Sequence, residues 1–288
     1  MNDKVLTADL TAYYNQQFNT RVRIPDYAGI LTRWKEESAH VRRTQAGLFD
    51  LHFGDAAEER LDLFPARQPG AALLVFIHGG WFRALDKSDF SFLVPAWRQA
   101  GFSVALPNYT LAPAATIEEI VLQQLRALAW LYRNAQRYDI DPARIAVAGH
   151  SAGAHLAAMM MAARWPLFGE DLPMDLVKAG VLLSGVYDME PVRHADFLNV
   201  DLKLGPEDMA SLSPAFMTPS HPARFITAVG GLESEEFQRQ NRLIADQWRA
   251  GHVADVPLTG IHHLGICDEF GNAESPLFRA SVDLMKSM

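Results

Sequence analysis

Cysteine is almost missing from this chain: Cys267 is the only one in 288 residues, so an intramolecular disulfide is impossible, which agrees with a reducing compartment. Long apolar runs are missing too. No stretch approaches the length needed to span a bilayer, and residues 1–6 lack the continuous apolar core of a secretory signal. Basic clusters are equally scarce, since the formal net charge is −8 and the longest run of Lys or Arg is the pair Arg42-Arg43. That excludes the electrostatic footprint of a nucleic-acid or anionic-lipid binder. There is no H-E-x-x-H motif, internal repeat or low-complexity tract. These absences predict a soluble, cytoplasmic protein that acts without a metal, nucleic acid or membrane, alone or as a homo-oligomer.

What is present is ample core material, with a hydrophobic share of 49%. After about residue 60, apolar runs alternate with amphipathic ones. Ala72 to Ile77, Phe102 to Leu106, Ile145 to Ala148, Val177 to Leu183 and Phe225 to Val229 read as buried strands, apolar on both faces, which predicts a mostly parallel sheet with helices on each side. A helix begins at Thr116, where Thr-x-x-Glu through Glu119 forms a capping box, and it ends before the turn signal Asp141-Pro142. Another runs from about Ser234 to Gly251. The pattern predicts one α/β domain over 1–288. Its first forty residues are helical, with Tyr13, Tyr14 and Phe18 on one amphipathic face and Ile30, Leu31 and Trp34 on a second; they either pack on the body or cap the active-site mouth.

The most informative segment is Gly149-His150-Ser151-Ala152-Gly153, a G-x-S-x-G pentapeptide between the run Ile145 to Ala148 and the helix-forming stretch Ala154 to Ala163. A buried strand turning sharply into a helix strains its apex residue and demands small neighbours. It also lifts the Ser151 hydroxyl out of the sheet, at the carboxyl end of a strand, with helix N-terminal amides behind it.

A serine hydroxyl is a weak nucleophile at neutral pH, so Ser151 needs a base and a carboxylate to orient that base. In proteins with this elbow the partners follow in the order serine, carboxylate, histidine. Among the later histidines only His262 and His263 follow a late strand candidate, Val256 to Leu258, by a short loop, and position alone does not choose between them. For the carboxylate, Glu233 directly follows the Phe225 to Val229 strand through Gly230-Gly231-Leu232, with Asp188 as its rival in the loop after the preceding strand. Cys267 lies in a terminal loop with no elbow around it and reads as a filler thiol.

Acyl transfer also needs donors for a developing oxyanion. His78-Gly79-Gly80-Trp81 closes the first strong strand, and the N–H groups of Gly80 and Trp81 with that of Ala152 would form such a hole.

Together these residues resemble the α/β-hydrolase superfamily, in the branch that holds hormone-sensitive-lipase-like carboxylesterases and serine-type arylformamidases. The resemblance is carried by His78-Gly79-Gly80-Trp81-Phe82, Asn108-Tyr109-Thr110-Leu111-Ala112-Pro113, Gly149 through Leu156, and Val229 through Phe237, and it extends to Tyr14-Asn15, Arg21-Val22 and Trp34. It implies the α/β-hydrolase fold and no cofactor. It also implies His263, followed by Leu264, as the base, whereas animal formamidases more often show Asp where this chain has Glu233. The expected activity is hydrolysis of short-acyl esters or aryl formamides through an acyl-enzyme on Ser151, His263 and Glu233; the alternatives are a general short-chain carboxylesterase and a catalytically silent binding protein on the same fold. Lipase-like relatives usually carry a third glycine where this chain has Trp81, so its indole should narrow the acyl side, while Tyr13, Tyr14, Phe18 and Tyr109 would offer a flat apolar surface to an aromatic leaving group.

Overall fold

The structure is a computed structural model that describes residues 3–219 and 221–288, with side chains from residue 9 onward. Its centre is an eight-stranded sheet. The strands are β1 (Leu48–His52), β2 (Arg60–Phe64), β3 (Ala71–Ile77), β4 (Ser103–Pro107), β5 (Ile140–His150), β6 (Ala179–Leu183), β7 (Arg224–Gly230) and β8 (His252–Leu258), in the order β1-β2-β4-β3-β5-β6-β7-β8. The β1–β2 and β2–β4 pairs are antiparallel and every other pair is parallel, as expected of strands that are apolar on both faces.

Twelve helices surround the sheet: α1 (Asp3–Phe18), α2 (Tyr27–Thr44), α3 (Val94–Gln99), α4 (Ile117–Asn134), α5 (Ala152–Ala162), α6 (Trp165–Phe168), α7 (Glu190–His194), α8 (Asp196–Leu202), α9 (Met209–Leu212), α10 (Glu235–Gln247), α11 (Gly265–Gly271) and α12 (Pro276–Lys286), counted among the described residues. Strand β3 shows why two layers are needed. Its Leu73, Val75 and Ile77 point into a core closed by Leu128 of α4, Met160 of α5 and Phe237 of α10. Its Ala72, Leu74 and Phe76 point the other way, onto Trp97 of α3, Phe270 of α11 and Met285 of α12. Full burial of each large side chain contributes about 1.5–3 kcal/mol, so neither face is dispensable. Cys267 is part of the second core, and burial pushes its thiol well above the ordinary range, so it stays protonated.

At the caps, Thr116 Oγ1 accepts the Glu119 N–H at 3.2 Å and Ser234 Oγ accepts that of Phe237 at 3.4 Å, but the Glu119 carboxylate accepts from Arg126 Nη2 at 2.6 Å, so only the Thr116 half of the expected capping box forms. Helix α4 ends before Asp141-Pro142 as expected, at Asn134, but that turn lies inside β5: Asp141 Oδ1 accepts the Ala143 N–H at 2.9 Å, and the turn bulges out of a strand whose register jumps from Ala71↔Ile140 to Leu73↔Ile145. One helix boundary differs. Helix α10 stops at Gln247, because Trp248 to Gly251 close a separate turn.

The N-terminal segment lies against the carboxyl side of the sheet. Helix α1 packs on α7, α8 and α10; Asn15 donates to Asp196 Oδ1 at 2.6 Å, and Gln17 Oε1 accepts the Glu236 N–H at 3.2 Å. Among the described residues, no helix is long and apolar enough to cross a membrane.

Candidate active site

Ser151 sits between β5 and α5 with φ 57° and ψ −120°. It is strained backbone for a residue with a Cβ, and the surroundings enforce it. Its N–H donates to the Leu183 carbonyl at the end of β6, 2.8 Å away, and its own carbonyl accepts the N–H groups of Ala154 and His155. The flanking glycines are sterically required, since a Cβ on Gly149 would run into the Gly153 carbonyl, and one on Gly153 into the Ile77 carbonyl.

Across the strand ends, His263 Nδ1–H donates to Glu233 Oε2 at 2.5 Å, with both side chains almost completely buried. The second carboxylate oxygen is also taken: Glu233 Oε1 accepts the Gly230 N–H at 2.7 Å and the Ser184 hydroxyl at 2.5 Å. The rivals are committed elsewhere. Asp188 accepts from Arg239 Nη2 at 2.8 Å and from the Glu190 N–H at 3.2 Å, while His262 Nδ1 accepts the Gly265 N–H at 3.0 Å, at the start of α11.

Elbow and histidine loop are joined by a residue that sequence reasoning passed over. His150 Nε2–H donates to the His263 carbonyl at 2.8 Å, and the two rings lie 4.6 Å apart. Because a carbonyl only accepts, the proton is on Nε2 and the buried Nδ1 is a lone pair without a partner among the described residues. Burial and the neighbouring His263 hold the His150 pKa well below its ordinary value, so this link is neutral. Phe237 completes the wall, its ring 4.5 Å from that of His263.

The His78–Trp81 turn is equally constrained. Gly80, Trp81 and Phe82 all have positive φ, at 107°, 53° and 60°. Only glycine takes such angles without strain, so the packing must hold the other two. Tyr109 supplies part of that: its hydroxyl donates to the His78 carbonyl at 3.0 Å, and its ring stacks on the His78 imidazole at 4.2 Å. His78 Nε2 in turn meets Asn108 Oδ1 at 3.0 Å. The turn touches the elbow, since a Cβ on Gly79 would come within 3.1 Å of Ser151 Cβ.

The aromatic residues read as one substrate surface separate here. Tyr109 is fully buried with its hydroxyl occupied, so it props the turn from behind and does not face a substrate. Phe18 is also fully buried, edge-on to Trp81 at 5.2 Å and to Phe237 at 5.8 Å, so it backs the pocket wall. Tyr14 stacks on Phe18 and on His194, and Tyr13 is 42% exposed. Gly80, Trp81 and Phe18 border a cavity of about 210 Å³ shared with Tyr27, Leu31 and Phe197. Phe18, Tyr27 and Leu31 of the N-terminal segment therefore line the rim of the Trp81 side. Of the residues that sequence reasoning missed, Ser184 had been read only as part of the loop leading to Asp188, and His150 only as a spacer in the pentapeptide.

The BD-FAE family model matches residues 61–172. The kynurenine formamidase of Danio rerio is 28% identical over 72% of this chain and 70% of its own. The esterase LipQ of Mycobacterium tuberculosis is 31% identical over 51% of this chain and 37% of its own. A solved structure of a candidate thioesterase from Silicibacter sp. TM1040 superposes with a TM-score of 0.82 at 27% identity, covering 94% of this chain and 98% of the other.

Proposed function

We propose that this chain, an α/β-hydrolase of the arylformamidase-like and hormone-sensitive-lipase-like carboxylesterase branch and an ester hydrolase or formamidase, works through a Ser151–His263–Glu233 triad and an acyl-enzyme. The observation that carries this reading is the Nδ1–Oε2 bond of 2.5 Å between His263 and Glu233, on a loop tied to the elbow by His150. With Nδ1 engaged, the basic atom of His263 is Nε2. Nε2 takes the Ser151 proton as the oxygen attacks the substrate carbonyl, and the buried carboxylate stabilises the imidazolium that forms. The oxyanion is held by the N–H of Ala152 and those of Gly80 and Trp81; a hole of this kind typically lowers a barrier by several kcal/mol. The imidazolium then protonates the leaving alcohol or amine, and water hydrolyses the acyl-enzyme by the same route in reverse roles.

The proposed substrate has a short acyl group on an aryl alcohol or aryl amine. Trp81, wedged against Phe18 and Phe237, supports a narrow acyl side. The described part of the N-terminal segment is proposed to form part of the entrance of a single catalytic domain, supported by the bonds of Asn15 and Gln17 to Asp196 and Glu236. A general short-chain carboxylesterase is the second reading, favoured by the similarity to esterase LipQ. Values of kcat/KM for p-nitrophenyl formate, acetate, butyrate, octanoate and palmitate beside N-formylkynurenine separate the two. Fast acetate with inert N-formylkynurenine selects the carboxylesterase, and a preference for octanoate or palmitate refutes the narrow pocket.

A further inference from the structure

We propose that Ser184 is a positioning residue for the triad carboxylate, holding Glu233 in the one orientation that presents Oε2 to His263; this rests on the triad reading above. The carboxylate terminates in a torsion that is broad and roughly two-fold, so a single bond to His263 would not fix its plane. Two donors on the far oxygen do. Gly230 N–H and Ser184 Oγ reach Glu233 Oε1 at 2.7 and 2.5 Å, and Oε2 is then left for the imidazole.

Ser184 is held at the end of β6 in a conformation that argues against a passive role. Its φ is 48°, in the left-handed region where a Cβ is costly and glycine is the default. The side chain is completely buried, and its hydroxyl meets the carboxylate. A strained residue kept at a strand end, where its side-chain oxygen meets the proposed acid, is the pattern expected when the hydroxyl is needed. Its surroundings are rigid: the Ser184 N–H donates to the Ala228 carbonyl at 2.8 Å, and the preceding Leu183 carbonyl accepts the Ser151 N–H at 2.8 Å. The dipeptide Leu183-Ser184 thus touches both the backbone of the nucleophile and the carboxylate of the acid.

The left-handed φ supplies a clean test, because Ser184→Gly removes the hydroxyl and relieves strain together. Steady-state kinetics with p-nitrophenyl acetate and thermal unfolding are measured for Ser184→Gly, Ser184→Ala, Glu233→Ala and the double variant Ser184→Gly/Glu233→Ala. The expected result is a Ser184→Gly protein at least as thermostable as wild type, with kcat down about tenfold and KM nearly unchanged. In the Glu233→Ala background, where there is no carboxylate to orient, the same change leaves kcat unaltered. An inactive Glu233→Ala beside a fully active Ser184→Gly overturns the positioning role and leaves the triad standing. Equal losses in both backgrounds overturn it as well, since the hydroxyl would then act independently of the acid. Full activity in Glu233→Ala overturns the triad and this role with it.

Discussion

His150 Nε2 donates to the main-chain oxygen of His263 across 2.8 Å, so the residue before Ser151 is bonded to the backbone of the histidine that pairs with Glu233. The histidine loop and the elbow come from strands β8 and β5, more than a hundred residues apart in sequence, and this bond helps the sheet between them to hold their spacing. Everything proposed about catalysis depends on that spacing being maintained.

The first prediction ranks the two ambiguous pairs. Glu233 is bonded to His263, whereas Asp188 is bonded to Arg239, so Glu233→Gln should lower kcat by roughly 10³ or more while Asp188→Asn costs less than about tenfold. Likewise His263→Ala should be far more damaging than His262→Ala. Steady-state kinetics on the four variants checks this, and a reversal within either pair would transfer that role to the neighbour.

Tyr109→Phe is expected to impair the oxyanion turn without touching substrate. It removes the donor to the His78 carbonyl from a buried site, which should cost about 1–3 kcal/mol of stability. It should also reduce kcat with little change in KM, since the hole matters most in the transition state. Were Tyr109 part of the substrate pocket instead, KM would be the parameter that moves.

Trp81→Gly should widen the acyl side. Trp81 already has a φ of 53°, so glycine fits the backbone and the indole volume is what disappears. The ratio of kcat/KM for p-nitrophenyl octanoate to that for acetate should rise by tenfold or more, because each additional buried methylene is worth about 0.8 kcal/mol. An unchanged ratio would mean that Trp81 does not limit chain length.

Acid should destabilise the fold through its buried histidines. Burial depresses the pKa of His155 to about 4 and also lowers those of His78 and His150. Their neutral forms therefore stabilise the fold fully above the unfolded histidine pKa near 6.5. That stability is lost as pH falls from there towards the depressed values, because the unfolded chain takes up protons first. For His155 alone the loss is on the order of 3 kcal/mol. Urea midpoints between pH 7.5 and 5 should fall accordingly, and His155→Met should flatten the slope; parallel slopes in the two proteins would contradict the assignment.

Much of the architecture was legible because β3, the Ile145 to Ala148 part of β5, and β7 are apolar on both faces and carry their burial in their composition. Strands β1 and β2 were not. Asp62 interrupts the second, and its complete burial depends on Lys87 and Arg42, partners that no local pattern announces. The elbow of the proposed nucleophile and the turn at His78 were readable from motif and strand context. Choosing Glu233 over Asp188 on physical grounds needs Arg239, which lies on a later helix and neutralises the rival. Tyr109 shows the same limit in the other direction: an aromatic residue at the end of β4 can face a pocket or support a loop, and only its hydroxyl's partner distinguishes the two.

The most direct test of the central claim is to trap the acyl-enzyme. The protein is mixed with p-nitrophenyl acetate, quenched in acid within the first turnovers and mapped by peptide mass spectrometry. One acetyl group on Ser151 is predicted, with no adduct and a kcat lower by roughly 10⁴ or more in Ser151→Ala. An acetyl group on Cys267 or on another serine, with Ser151→Ala still turning over, would contradict the account.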